Sequence, residues 1–314
     1  MKNVIAGLLL IGMAAPALAQ DASRQPLNII APAPPGGAND ALARLLAIKL
    51  QETTGQTVVV LNKPGGNLVV GTMFVVNSAP DGRTLLLVGN SAVTVNPVLL
   101  QNLPYDAQKD LVPVSKVADL EMLFAVTPAV PVNSVAEFVA YSKAHPKEIN
   151  YAAGTPIFQL TMEMFKSLSG AQATPIPYNG TARAITALLG GEVQATISEA
   201  TSIMPHVQSG KLKALAAVPR VNALPNLPSL AQSVPGYDMT VWLGLFAAKG
   251  TPAPTIARLH SEVARVVTST DASQKMIGMG MVPVGSSPEQ LAKTIQQDLA
   301  NVRALAKTAN IKID

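Results

Sequence analysis

A pair of glycines between a strand and a helix constrains this chain more than any other feature. The loop reads Pro34-Pro35-Gly36-Gly37-Ala38-Asn39-Asp40, and the apolar run Leu27-Asn28-Ile29-Ile30-Ala31 leads into it. Leu42, Leu45, Leu46 and Leu50 follow on one face at helical spacing. A strand that turns into a helix through glycines is a unit of an α/β protein. It also aims the unpaired N–H groups of the helix N-terminus, with their partial positive charge, at whatever lies before the loop. Glycine lets an anion come close to that backbone. These residues alone leave two readings open: a socket for a carboxylate or phosphate, and a plain strand-to-helix turn.

The same alternation runs through the chain. Strands are expected at 27–31, 57–61, 84–89, 112–117, 123–127, 149–152, 174–177, 195–198, 214–218 and 243–247. Helical patterns lie between many of them. One at 181–189 stops at Gly190-Gly191. Another opens at Thr251-Pro252. A third follows the capping box Ser287-Pro288-Glu289-Gln290. Such alternation predicts mostly parallel sheets. A second loop, Tyr151-Ala152-Ala153-Gly154-Thr155-Pro156, again joins a strand to a helix, with Thr155 as expected N-cap and Pro156 as first helical residue. Placed at the carboxyl ends of strands in two sheets, the loops would face each other across a cleft, where open α/β sheets bind ligands. Two unrelated helix starts are the plainer alternative.

The N-terminus addresses the protein for export. Lys2, the apolar stretch 4–13 and the small-x-small triplet Ala17-Leu18-Ala19 form a secretory signal peptide, 1–19. The apolar stretch is short of the about 20 residues a membrane span needs. There is no cysteine, which rules out a lipid anchor at the cleavage site and any disulfide. A periplasmic protein is expected. A chain of 314 residues exceeds the ~100–200 of a typical domain, so two domains are expected. Only 13% of residues are charged and the net charge is +4. With no basic cluster, nucleic acid is not an expected partner, while the weak positive field favours anionic ligands. The mean hydropathy of +0.30 fits strands buried on both faces.

No catalytic motif is present. His145, His206 and His260 lack metal-ligand spacing, and neither a thiol, a Gly-x-Ser-x-Gly elbow nor a phosphate loop occurs. No catalytic residue, metal or cofactor is expected. Asp40 beside an anion socket either fixes the loop or touches a ligand hydroxyl or ammonium. Glu199 is either a solvated helix start or a cleft residue that selects a cationic group. Tyr178 either packs under the cleft or donates its hydroxyl. Trp242 reads as core or hinge packing.

Several motifs, taken in order, carry a resemblance. The chain resembles the Bug (TctC-like) family of extracytoplasmic solute receptors in Pro34-Pro35-Gly36-Gly37-x-x-Asp40, Asn62-Lys63-Pro64-Gly65 and Pro80-Asp81-Gly82-Arg83-Thr84-Leu85. Pro177-Tyr178-Asn179-Gly180, Leu188-Leu189-Gly190-Gly191-Glu192-Val193, Ser209-Gly210-Lys211 and Trp242-Leu243-Gly244 continue it. The resemblance implies a two-domain periplasmic-binding-protein fold, each domain a mostly parallel sheet flanked by helices, with two interdomain crossings. Domain 1 is expected at 27–124 plus 245–314 and domain 2 at 125–244. It implies a monomeric receptor that captures a small organic carboxylate between the domains and delivers it to tripartite tricarboxylate transporter subunits in the membrane. A signalling partner, or an exported hydrolase-like enzyme working in the same cleft, are the alternatives. The implied ligand-binding residues are Pro35, Gly36, Gly37, Ala38, Asn39 and Asp40 in the first loop. In the second they are Gly154, Thr155, Pro156, Ile157, Phe158 and Gln159. Tyr178 and Glu199 complete the candidate set.

The chain departs from the family pattern in three places. The second loop is shorter, with the single glycine Gly154 where the family has several and Gln159 where it has His. The stretch after Pro64 reads Gly65-Gly66-Asn67-Leu68. The usual Asp after the Leu-Gly-Gly-x-Val strand appears as Ser198-Glu199. With Ile157 and Phe158 at small polar positions, an apolar or aromatic distal part of the ligand is expected if they face the cleft.

Overall fold

The computed structural model describes residues 25–221 and 223–309. The expected signal segment, 1–19, lies outside them. The strands are β1 (Leu27–Ala31), β2 (Val58–Asn62), β3 (Thr84–Gly89), β4 (Leu111–Leu120), β5 (Met122–Val126), β6 (Asn150–Ala153), β7 (Thr174–Pro177), β8 (Ala195–Glu199), β9 (Lys213–Val218), β10 (Val241–Ala248) and β11 (Met281–Pro283). The helices are α1 (Ala38–Thr54), α2 (Val69–Val76), α3 (Asn96–Leu99), α4 (Ala107–Asp110), α5 (Val135–Ala144), α6 (Pro156–Ser169), α7 (Thr181–Gly190), α8 (Ala200–Gln208), α9 (Leu230–Ser233), α10 (Ala253–Thr268), α11 (Thr270–Gly278) and α12 (Pro288–Ala309). A π-helical turn, Ser91–Val95, follows β3.

Two sheets result. The first runs β11-β4-β10-β3-β1-β2 and the second β7-β6-β8-β5-β9. In the first sheet β1, β2, β3 and β4 point one way, and β10 and β11 the other. In the second, β5 alone runs against β6, β7, β8 and β9. The sheets are mostly parallel, as expected. Each takes as a reversed strand the one that arrives from the other sheet: β5 enters the second directly after β4, and β10 returns to the first after β9. The expected domain edges at 124/125 and 244/245 fall inside β5 and β10. Both strands are buried along their whole length, and each bonds throughout to a single sheet.

Burial follows the sequence pattern. Leu42, Leu45, Leu46 and Leu50 turn the apolar face of α1 onto the first sheet, and α1 ends at Gly55, whose φ of +71 only glycine adopts readily. The other face of that sheet carries α2 and α12, through Val75, Leu291, Ile295 and Leu299. α7 and α8 cover one face of the second sheet. On its other face Phe124 meets Phe138 and Phe165 at centroid distances of 4.9 and 5.0 Å, edge-to-face geometry that adds to plain area burial. Helices therefore flank both sheets on both sides. Among the described residues, no helix is long and apolar enough to cross a membrane.

Candidate ligand-binding site

The first glycine loop is held from behind. The Asp40 carboxylate accepts hydrogen bonds from the Gly36 N–H (3.2 Å), Arg44 Nε (3.1 Å) and Asn62 Nδ2 (3.0 Å). Asn62 Nδ2 also donates to the Ala33 carbonyl. Asp40 thus ties the loop to its own helix and to the end of β2. Burial alone would raise its pKa, but the bonds from Arg44, Asn62 and Gly36 outweigh it and hold the carboxyl below its usual range. Gly36 supplies the turn with φ +97. Gly37 is the α1 N-cap at φ −94 and ψ 176, extended backbone open to any residue. A Cβ there would meet Glu199 Oε1 at 3.5 Å and Thr181 Cβ at 3.9 Å, ordinary contact distances, so only a side chain larger than alanine's would crowd the space between the halves.

Those two neighbours belong to the second sheet's half. A Cβ on Gly154 would stand 2.8 Å from Thr181 Cα, so this glycine exists to let the α7 N-terminus approach. Glu199 ends β8 and begins α8, and is buried. Its Oε1 accepts from the Ala38 N–H at 3.5 Å and from Ser202 Oγ at 3.5 Å, and its Oε2 from Ser198 Oγ at 2.7 Å. A carboxylate of the protein therefore already faces the α1 N-terminus, the position that the sequence assigns to a ligand's anion.

The second loop is a poorer anion socket than its position suggests. Pro156 has no N–H. The Ile157 N–H donates to Ser91 Oγ (3.2 Å), and those of Phe158 and Gln159 to the Thr155 carbonyl. Thr155 occupies the N-cap, yet its hydroxyl makes no capping bond. Thr155 Oγ1 is instead a buried atom with no partner among the described residues, as is Asn39 Oδ1. Asn39 Nδ2 donates to the Leu87 carbonyl at 2.8 Å, which fixes the other amide atom as the acceptor.

These elements enclose a cavity of about 60 Å³ between the sheets. Of the expected residues, Gly37, Ala38, Asn39, Thr155, Ile157, Phe158 and Glu199 line it. Asp40 and Gly154 stand behind that wall in the supporting roles described above. Pro35 and Gly36 are exposed, Gln159 is half-buried and Pro156 is buried, all outside the lining. Tyr178 packs against the α7–α8 cluster instead, where burial and the nearby Glu192 charge push its hydroxyl pKa up.

Among the lining residues not singled out as ligand contacts, four carry polar side-chain atoms: Asn90, Ser91, Thr181 and Trp242. Thr181 follows the Pro-Tyr-x-Gly motif, a readable signal for a helix start. Asn90 and Ser91 follow β3 at its carboxyl end, the place an α/β sheet offers a ligand. Asn90 Nδ2 donates to Asp298 Oδ2 (2.7 Å) and to the Thr240 carbonyl (3.3 Å), and its Oδ1 accepts the Trp242 N–H (2.9 Å). Trp242 Nε1 donates to the same Asp298 oxygen at 2.7 Å. This network clamps α12 to the returning strand β10. Burial pushes the Asp298 pKa above its usual value, against the bonds from Trp242 and Asn90 that favour the charged form. A larger cavity of about 410 Å³ adjoins the first and shares Asn90 and Ile157 with it. None of His145, His206 and His260 lines the cavity between the sheets, and no metal-binding group of His, Cys, Asp and Glu occurs among the described residues.

Comparison with known proteins agrees with the architecture. Residues 42–311 match the tripartite tricarboxylate transporter family receptor. BugT of Bordetella pertussis is 34% identical over 309 residues, covering 96% of this chain and 94% of that protein. A Rhodopseudomonas palustris structure with adipate superposes with a TM-score of 0.89 at 30% identity, covering 92% of this chain and 98% of that one. The periplasmic binding protein BugD gives 0.86 at 31% identity, covering 91% and 98%. The malate-bound MatC of Rhodopseudomonas palustris gives 0.83 at 26% identity, covering 89% and 98%. The chain belongs to the tripartite tricarboxylate transporter receptor family, the Bug and TctC-like solute-binding proteins.

Proposed function

We propose that this protein captures a small carboxylate in the cavity between its two sheets and hands it to a membrane transporter of the tripartite tricarboxylate type, working in the periplasm after loss of residues 1–19. One observation carries this reading. The α1 N-terminus meets the α7 and α8 starts around a cavity lined by buried polar atoms without partners, Asn39 Oδ1 and Thr155 Oγ1. A buried polar atom left unpaired is costly, and a ligand that supplies the missing partners removes that cost. The Ala38 N–H faces Glu199, and the next N–H groups of the first turn of α1, those of Asn39 and Asp40, belong to the helix's unpaired N-terminal donors, which suit a carboxylate. The adipate and malate bound by the related structures support the carboxylate class. A receptor needs closure around the solute and no chemical step, and a hydrolase would need a nucleophile and a base in hydrogen-bond reach. The lining residues supply one serine, two threonines and a carboxylate but no histidine, lysine or cysteine to activate a hydroxyl.

The test is a panel of organic carboxylates. A ligand at 100 times its dissociation constant adds ~2.7 kcal/mol of stability, which a thermal melt reads directly. Mass spectrometry of the gently purified protein should find a co-purified carboxylate. Turnover of any panel member, or no stabilisation by any of them, would replace this reading.

A further inference from the structure

The polar wall of the cavity is unusual for an anion site. Of its unsatisfied groups the Asn39 amide oxygen can only accept a hydrogen bond, and the Thr155 hydroxyl can accept one. Glu199 is 2% exposed and lines the cavity. A carboxylate offers ~4 lone-pair sites, and Glu199 uses three of them, one on a short bond from Ser198 and two on 3.5 Å contacts from Ser202 and the Ala38 N–H. No Lys, Arg or His forms an ion pair with it among the described residues. Among the described residues Asn39 Oδ1 is an acceptor without a donor, and Thr155 Oγ1 a hydroxyl oxygen without a partner. Asn39 cannot turn its amide to donate instead, because Nδ2 is committed to the Leu87 carbonyl.

A second carboxylate on the ligand would meet this wall as a like charge beside a buried acid, and would bring no donors. An ammonium brings three donors and the opposite charge. Burial of a charge is tolerated where an opposite charge and hydrogen bonds meet it. Resting on the carboxylate reading above, we infer that the solute is a small amino-carboxylate. Its carboxylate faces the first turn of α1, and its ammonium donates to Glu199 with Asn39 Oδ1 and Thr155 Oγ1 as the accessory acceptors. Glu199 is then the residue that sets specificity.

The inference is tested with matched series on the full mature protein by isothermal calorimetry. Glycine, β-alanine and 4-aminobutyrate carry an ammonium at increasing distance from the carboxylate. Propionate, butyrate and pentanoate replace that ammonium with methyl. Malonate, succinate and glutarate replace it with carboxylate. At one spacer length at least, the ammonium member should bind more than tenfold tighter than both counterparts. Glu199→Gln should then cut that preference more than tenfold, with the loss falling on the ammonium member. Equal or tighter binding of the methyl or dicarboxylate members by the wild-type protein overturns the inference and leaves carboxylate capture standing, and needs no variant to fold. Absence of binding by all three series and by the wider carboxylate panel overturns both.

Discussion

The ring of Pro34 lies against the bare α-carbon of Gly180, so that a Cβ on Gly180 would come within 2.7 Å of Pro34 Cδ. One residue precedes the α1 loop and the other starts α7. Their contact joins the two sheets at the mouth of the cavity. Gly180 also holds φ +100 and ψ 156, a region that costs other residues ~1–3 kcal/mol. Gly180→Ala should therefore act twice: the strain lowers stability in every state, and the clash opposes closure. Affinity for a cleft ligand should fall about tenfold or more. Pro34→Ala in the same chain removes the clash but not the strain, so the double variant should recover affinity and not the melting temperature. Recovery of neither would mean that closure does not bring these residues together.

Gly37→Val isolates space from strain. Gly37 has ordinary extended backbone, so valine meets no conformational barrier. Its branches would enter the gap toward Glu199 Oε1 and Thr181 Cβ. Stability should change by no more than about 1 kcal/mol, while ligand affinity falls by at least tenfold in calorimetry. Undiminished affinity would remove the α1 N-terminus from the binding site.

Asp40 gives the loop an acid-sensitive anchor. Its carboxyl is held below its usual range, so folding favours the ionised form. The stability this confers is complete above the ordinary carboxylate value near ~4 and is lost as pH falls through the lower folded value. Asp40→Asn should be less stable than wild type at pH 7, by about 1 kcal/mol. The gap should close as pH drops below about 4. Urea melts at pH 3 to 7 read both; a gap that stays constant would assign Asp40 no titrating role.

Local chemistry was legible in the residues, and contacts across the cleft were not. The box at Ser287 forms as read, with Ser287 N–H donating to Gln290 Oε1 and Gln290 N–H to Ser287 Oγ, because both partners lie within one turn. The buried stripe of α1 follows from spacing alone. Thr155 shows where such reading stops. Its N-cap position was visible, but its hydroxyl is left uncapping while the Ile157 N–H goes to Ser91, from the other half of the fold. Glu199 meets Ala38 across 161 residues of sequence, a separation over which no periodicity carries information. β5 and β10 read as featureless apolar runs, and only pairing decides the sheet to which such a run belongs.

Asp298 separates an acceptor from a charge. Both Asn90 Nδ2 and Trp242 Nε1 donate to its Oδ2, and burial raises its pKa. A raised carboxyl stabilises the fold below the ordinary carboxylate range, and that contribution is lost as pH rises through the folded value. Asp298→Asn keeps an oxygen for both donors and removes the buried charge, so it should be neutral or mildly stabilising at pH 7. Asp298→Ala orphans the indole N–H and should cost about 1–3 kcal/mol. Trp242 is the chain's single tryptophan and lines the cavity, so its fluorescence reports both the clamp and ligand entry. An Asn variant as damaged as the Ala variant would show that the charge itself holds α12 in place.

Ile157 and Phe158 set what the far end of a ligand meets. Adjacent helical residues point ~100° apart, which leaves room for one to be buried away from the cleft; both line the cavity. Leu68, Val88 and Trp242 add to this apolar wall. A carboxylate placed against such a surface gives up its water for no donor in return. Each further carboxylate on the ligand should therefore weaken binding. In competition, monocarboxylates with an apolar body should displace a fluorescent probe at concentrations at least tenfold below those needed for citrate. Phe158→Ala should narrow that difference by opening the wall to water. A clear preference of the wild-type protein for citrate would show that these two side chains turn away from the ligand when it binds, and that the altered second loop does not set specificity.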